Sequence, residues 1–192
     1  GLFDDPFVDE HEAVRRTGSV DLVDAGIGAQ RRSLTLLTNK TVDGRPLLPV
    51  RERQRIYVDG VDREVAGRFG ELVKRPEQAD LAIIRRGSPH SPVRPSRQIL
   101  EMVFPGGDIE FSRKELERIL SVCRVVPTVV DVRLDRPAVI PEIAEHACAV
   151  IASYLTGDEV LLDAIVGRFT PAGKLPVDLP SSTAAVKASR SD

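Results

Sequence analysis

The chain has 192 residues, 42% hydrophobic and 29% charged, with 27 basic side chains against 29 acidic ones and a formal net charge of -2. That is enough apolar material for the core of one globular domain, which excludes a disordered chain. The near balance of charge excludes an extended basic footprint for nucleic acid, and no run of about 18 apolar residues is present to span a membrane.

The chain opens at Gly1, and its one methionine is Met102. It reads as a processed or excised piece of a longer polypeptide. Residues 1–8 are turn-rich around Asp4, Asp5 and Pro6 and read as a linker. Asp9 is placed to cap a helix, with Glu12 at the capping-box spacing. Gly18, Gly26 and Gly28 weaken its continuation, so a helix in two pieces is expected.

Strands and helices then alternate. Ser33 to Thr38 and Arg55 to Val58 read as strands. Asp62 opens a predicted helix carrying Val65, Phe69, Leu72 and Val73 at helical spacing, and Pro76 ends it. Leu81 to Ile84 is a short apolar strand. Ser112 and Glu115 form a second capping box, ahead of a stripe of Leu116, Ile119, Leu120 and Cys123. Thr128 to Leu134 is a further strand. Pro141 opens a short helix, and Ala149 to Ala152 forms another strand. Asp158 is read as the cap of a helix with Leu161, Leu162 and Ile165, and Gly167 stops it. Apolar strands alternating with helices predict an α/β fold, a mostly parallel sheet covered on both faces.

One connection is far too long for this rhythm. About 25 residues separate Arg86 from Ser112, where a few would suffice. They leave the carboxyl end of a strand, the edge at which open α/β sheets bind ligands. The acids within this loop are Glu101 and Asp108, with Glu110 at its exit. An acid held over that edge can transfer protons.

Other motifs have ordinary readings. Gly26-Ile-Gly28 lacks the third glycine and the preceding strand of a dinucleotide fingerprint. Lys174, between Pro171 and Pro176, is expected in a turn leading to a final strand. Cys123 and Cys148 read as small core residues. His11, His90 and His146 are scattered without metal-ligand spacing, so neither metal nor cofactor is expected.

Several stretches together resemble the second domain of glycoside hydrolase family 3, the β-glucosidase family. They are Gly1 to Asp9, Ala29 to Asn39 followed by Leu47-Leu-Pro49, and Arg136-Pro-Ala-Val139. The most specific is Leu162-Asp-Ala-Ile-Val-Gly167 followed by Pro171-Ala-Gly-Lys-Leu-Pro-Val-Asp-Leu-Pro180. The resemblance implies a three-layer α/β/α sandwich with a roughly six-stranded, mostly parallel sheet over residues 33–180. Residues 1–32 then form a linker and helical segment, and 181–192 a tail.

The resemblance also implies hydrolysis of terminal β-linked sugars with retention, which needs a carboxylate nucleophile and a carboxyl acid/base. In two-domain members the nucleophile is an Asp on an amino-terminal barrel. The partners implied are therefore that barrel and a carbohydrate substrate, with neither nucleic acid nor membrane. The acid/base often comes from a long loop of this second domain, which makes Glu101 the candidate here. The loop departs from the Gly-Glu pattern of plant-like members. Pro105 stands where members of the family carry a histidine before the glycine, so a histidine role does not carry over. Ser191-Asp192 echoes the nucleophile motif but lies in the tail.

The main alternative is a carbohydrate-binding or interaction domain of the same fold without chemistry. A flavodoxin-like signalling domain is disfavoured, because Thr38-Asn39 supplies no acid at the end of the first strand.

Overall fold

The computed structural model describes residues 1, 3–51, 53–90 and 107–189. Its strands are β1 (Thr35–Asn39), β2 (Thr41–Val42), β3 (Arg45–Pro46), β4 (Arg55–Asp59), β5 (Glu71–Leu72), β6 (Leu81–Gly87), β7 (Thr128–Arg133) and β8 (Ala149–Ser153). Its helices are α1 (Glu10–Arg16), α2 (Val20–Ser33), α3 (Arg63–Ala66), α4 (Arg113–Cys123), α5 (Pro141–His146), α6 (Asp158–Ile165) and α7 (Thr183–Ala188), with a 3-10 turn over Pro76–Gln78.

Six strands form the main sheet in the order β1-β8-β7-β6-β4-β5. All neighbours are parallel except β1, which runs antiparallel along β8. The family's expected sheet is therefore present, closed on one side by an antiparallel edge strand.

Strand β8 is buried along its whole length, and β7 along all but its last residue. Continuous burial of this kind requires cover on both faces. Leu34, Ile83, Val129, Ile151, Leu161 and Ile165 pack on the face covered by α2, α3 and α6. Ile84, Ile119, Val130, Ala138, Ile143 and Val150 pack on the other, under α4 and α5. Each such large side chain contributes about 1.5–3 kcal/mol by leaving water.

Local signals explain most boundaries. Asp9 accepts from His11 N and Glu12 N and starts α1, while Gly18 at φ 72° separates α1 from α2. Ser112 accepts from Glu115 N and starts α4. Gly167 at φ 81° follows the end of α6.

Four expectations need correction. Glu12 does not close a capping box, because its carboxylate is held by Arg15 and Arg16 on its own helix. The helix predicted from Asp62 stops after one turn, at Ala66, and Glu71–Leu72 pairs as β5 instead. The sheet edge had an open strand to satisfy, and Gly67 and Gly70 weaken the helix there. The helix expected in two pieces is so, parted at Gly18, while α2 passes through Gly26 and Gly28 unbroken. No strand follows Lys174 among the described residues. The thiols of Cys123 and Cys148 are free and only half-buried, at the rim of the core.

The β2–β3 hairpin was not expected, although its turn is the pair Asp43-Gly44, with φ 50° and 81°. Two successive positive φ values match the right-handed twist of a two-residue hairpin.

Candidate functional site

The carboxyl ends of β4, β6, β7 and β8 lie side by side, and a group of buried polar residues gathers there. Arg85, Asp131 and Ser153 come from β6, β7 and β8, and all are buried. Each continues the stripe that carries the core residues Ile83, Val129 and Ile151 on the α6 face. Alternation along a strand points all three the same way.

Arg85 Nε lies 2.8 Å from Asp131 Oδ2. Its Nη1 pairs with Asp158, and its Nη2 donates to Ser153 Oγ at 3.4 Å and to Thr156 O. Ser153 Oγ donates to Asp131 Oδ2 at 3.0 Å. Burial pushes the Asp131 carboxyl up to about 6, against the opposing pull of the Arg85 charge and the Ser153 hydroxyl. Sequence reasoning missed this cluster. An acid inside the apolar run 128–132 and an arginine closing the apolar run 81–84 were the available signals.

Asp158 is a member of this cluster and not the cap of α6. Gly157 occupies the N-cap position, and the Asp158 carboxylate also accepts from Asp62 N at 2.8 Å. The two acids expected to cap separate helices are thus brought together across the strand ends.

On the opposite face, Arg86 pairs with Asp59 at 2.5 Å and reaches Glu115 at 3.5 Å. Arg118 of α4 joins the same Asp59 carboxylate at 3.0 Å. Glu115 therefore supports the strand end as well as standing at the start of its helix.

Between these clusters the long connection leaves and returns. Ser88 N and Ser88 Oγ donate to Arg133 O, and Ser88 Oγ also reaches Arg136 O. Val139 N donates to Ile109 O at 2.9 Å, and Glu110 bridges to Val139. A cleft between the stems is lined by Ser88, His90, Asp108, Glu110 and Glu115.

The acids named from sequence separate here. Glu101 lies outside the described residues, as do Pro105 and Ser191-Asp192. The Asp108 carbonyl accepts from Arg136. Glu110 accepts from Thr183 N at 2.8 Å, which holds its carboxyl below the usual range. An acid so engaged with the first turn of α7 is ionised and unsuited to donating a proton. That tail helix was itself unexpected, since residues 181–192 show no strong pattern. Among the described residues no three His, Cys, Asp or Glu side chains are gathered to hold a metal ion.

No family model matches the chain. Over its whole length it is 42% identical to Beta-glucosidase C of Emericella nidulans and to Probable beta-glucosidase C of Aspergillus flavus. It is 32% identical to the Periplasmic beta-glucosidase/beta-xylosidase of Dickeya chrysanthemi. The chain spans 29–31% of the length of these curated relatives. A Listeria innocua beta-glucosidase solved with gluconolactone superposes with a TM-score of 0.73 at 18% identity, over 95% of this chain and 30% of that one. A family 3 beta-glucosidase from Bifidobacterium adolescentis gives 0.65 at 19% identity, over 93% and 30%.

Proposed function

The chain belongs to glycoside hydrolase family 3 as its C-terminal α/β domain, and on that premise we propose that the polypeptide carrying it hydrolyses terminal β-linked glucosides with retention of configuration. The observation that carries this reading is the 42% identity to Beta-glucosidase C over the whole chain, which is under a third of that protein. The remainder of such a protein has room for a barrel and its nucleophilic Asp.

The chemistry divides between the two parts. A retaining enzyme holds two carboxyl groups about 5–5.5 Å apart. The barrel carboxylate attacks the anomeric carbon while the acid protonates the departing oxygen. The acid then takes a proton from the water that releases the sugar. We assign the acid/base role to Glu101, on its place in the long loop and on the family resemblance. Phe3, Phe7, Val8, Val14, Val20 and Leu22 turn apolar side chains to solvent. A preceding barrel is the partner we propose for that surface.

One carboxyl group alone cannot run a double displacement. A chromogenic aryl β-glucoside, given to this chain and to the parent protein, tests the reading. The parent is expected to turn it over and the isolated chain not. Glu101→Gln in the parent should lower kcat/KM by about 10²–10⁴-fold on an unactivated glucoside. Turnover by the chain alone, or an inert parent, overturns the proposal. A parent that binds glucosides without cleaving them favours the carbohydrate-binding alternative.

A further inference from the structure

Two thiols meet on one face of the sheet at its amino edge, the end away from the charge cluster. Val130 and Val132 of β7, with Val150 and Ala152 of β8, face α4 and α5. Alternation along a strand gives Thr128, two residues before Val130, and Cys148, two before Val150, the same direction. Cys148 N donates to Thr128 O at 2.9 Å, so the two are neighbours across adjacent strands. Helix α4 lies over this face and ends at Cys123, which packs against the same core residues. The Thr128 hydroxyl lies within hydrogen-bond distance of the Cys123 sulfur. Cys123 and Cys148 thus flank one buried threonine, the first from the helix layer and the second from the sheet.

Both thiols are free and half-buried, which leaves them open to a small reagent. Burial pushes the Cys123 thiol up, the Thr128 hydroxyl opposes this, the Cys148 thiol adds to it and the Lys40 ammonium opposes it. Two groups that repel one another when ionised are near neighbours, because such repulsion falls with distance. Lys40 is fixed beside them. Its N donates to Cys148 O at 2.7 Å, and its Nζ donates to Glu145 O. A cation held beside a thiol favours the thiolate, the form that attacks disulfides.

We propose that Cys123 and Cys148 are a reactive pair, which closes to an intramolecular disulfide by exchange with a small-molecule disulfide. One thiolate of the pair attacks a sulfur of the reagent, and the reagent's other sulfur leaves as a thiolate. The second cysteine gives its proton to water and attacks the protein sulfur of this mixed disulfide, expelling the remaining half. Two protein thiols are oxidised, and one small disulfide is reduced to two thiols. The bridge ties the end of α4 to the start of β8.

Oxidised glutathione is the probe. The full-length protein is incubated with it, blocked with N-ethylmaleimide and digested with trypsin. Peptide 119–124, which holds Cys123, should be joined to peptide 134–168, which holds Cys148, and dithiothreitol should part them. Titration with glutathione redox buffers gives the effective concentration of one thiol at the other. In urea the intervening chain is a flexible tether, for which this lies in about the millimolar range. In the folded protein it should be at least about tenfold higher, since the fold holds the two groups together. Cys123→Ser and Cys148→Ser should each leave glutathione on the remaining thiol.

Glutathione held singly on either cysteine of the wild type, bridges between two molecules, two thiols left free, or equal effective concentrations folded and unfolded would each overturn the proposal. The wild-type digest decides this even if a serine variant does not fold.

Discussion

Arg85 Nε and Asp131 Oδ2 stand 2.8 Å apart at the carboxyl ends of adjacent parallel strands, with both side chains almost wholly withdrawn from water. Their attraction offsets the desolvation of two charges only while both are present. Arg85→Met should therefore cost about 3–5 kcal/mol, the penalty for a buried charge left without its partner. Urea unfolding of the variant measures this, and a loss below about 1 kcal/mol contradicts it.

The same pair predicts a pH dependence. The folded Asp131 carboxyl titrates at about 6, above its ordinary 3.8. Between those values the folded state holds a proton that the unfolded state has released. Stability from this group is therefore complete below its unfolded value and is lost as pH rises toward the folded one. Asp131→Asn removes the group, so the variant should lose less stability than wild type between about pH 4 and pH 6.5. Parallel slopes in unfolding titrations of the two proteins contradict the assignment.

Gly173 has no room for a side chain. A Cβ there would lie 2.4 Å from Ser33 O and 2.7 Å from Leu34 O, while its own N donates to Leu34 O. Gly173→Ala should cost about 1–3 kcal/mol by forcing the 171–176 segment off the start of β1. A thermal midpoint equal to wild type rules this out.

Asp163 ties two helices together. Its carboxylate pairs with Arg168 at 2.8 Å and with Arg31 of α2 at 3.4 Å. Both arginines remain half-exposed, which discounts the pair energies. Asp163→Ala should cost about 2 kcal/mol. It should also speed amide exchange in α2 selectively, because Gln30, accepting from Gly157 N, is left as a remaining polar tether. Uniform exchange across the sheet, without a change confined to α2, counts against this tie.

Much of the architecture was legible in order of appearance. Leu81 to Ile84 and Ala149 to Ala152 are apolar without interruption, and only a strand covered on both faces needs that. Ser112 and Asp9 declared their helices because a short polar side chain can meet backbone N–H groups within three residues. These signals are local, and so survive in the sequence. The family motif around Gly173 was visible as a pattern, but its cause, a backbone 2.4 Å from the missing Cβ, was not.

What the chain order could not state was who meets whom. Residues 85, 131, 153 and 158 carry no shared pattern. They converge because three parallel strands end at the same level and α6 begins beside them. Asp158 looked like a helix cap and became a counter-ion, since a buried guanidinium attracts a carboxylate more strongly than a helix end does. Asp62's helix ended early because a sheet edge offered Glu71 and Leu72 backbone partners that no local rule records. Sequence alone therefore determined the central strands, most of the helices that cover them and the family. Tertiary structure alone decided the charge cluster at the strand ends, because electrostatic and hydrogen-bond partners are chosen by distance in space and not by distance along the chain.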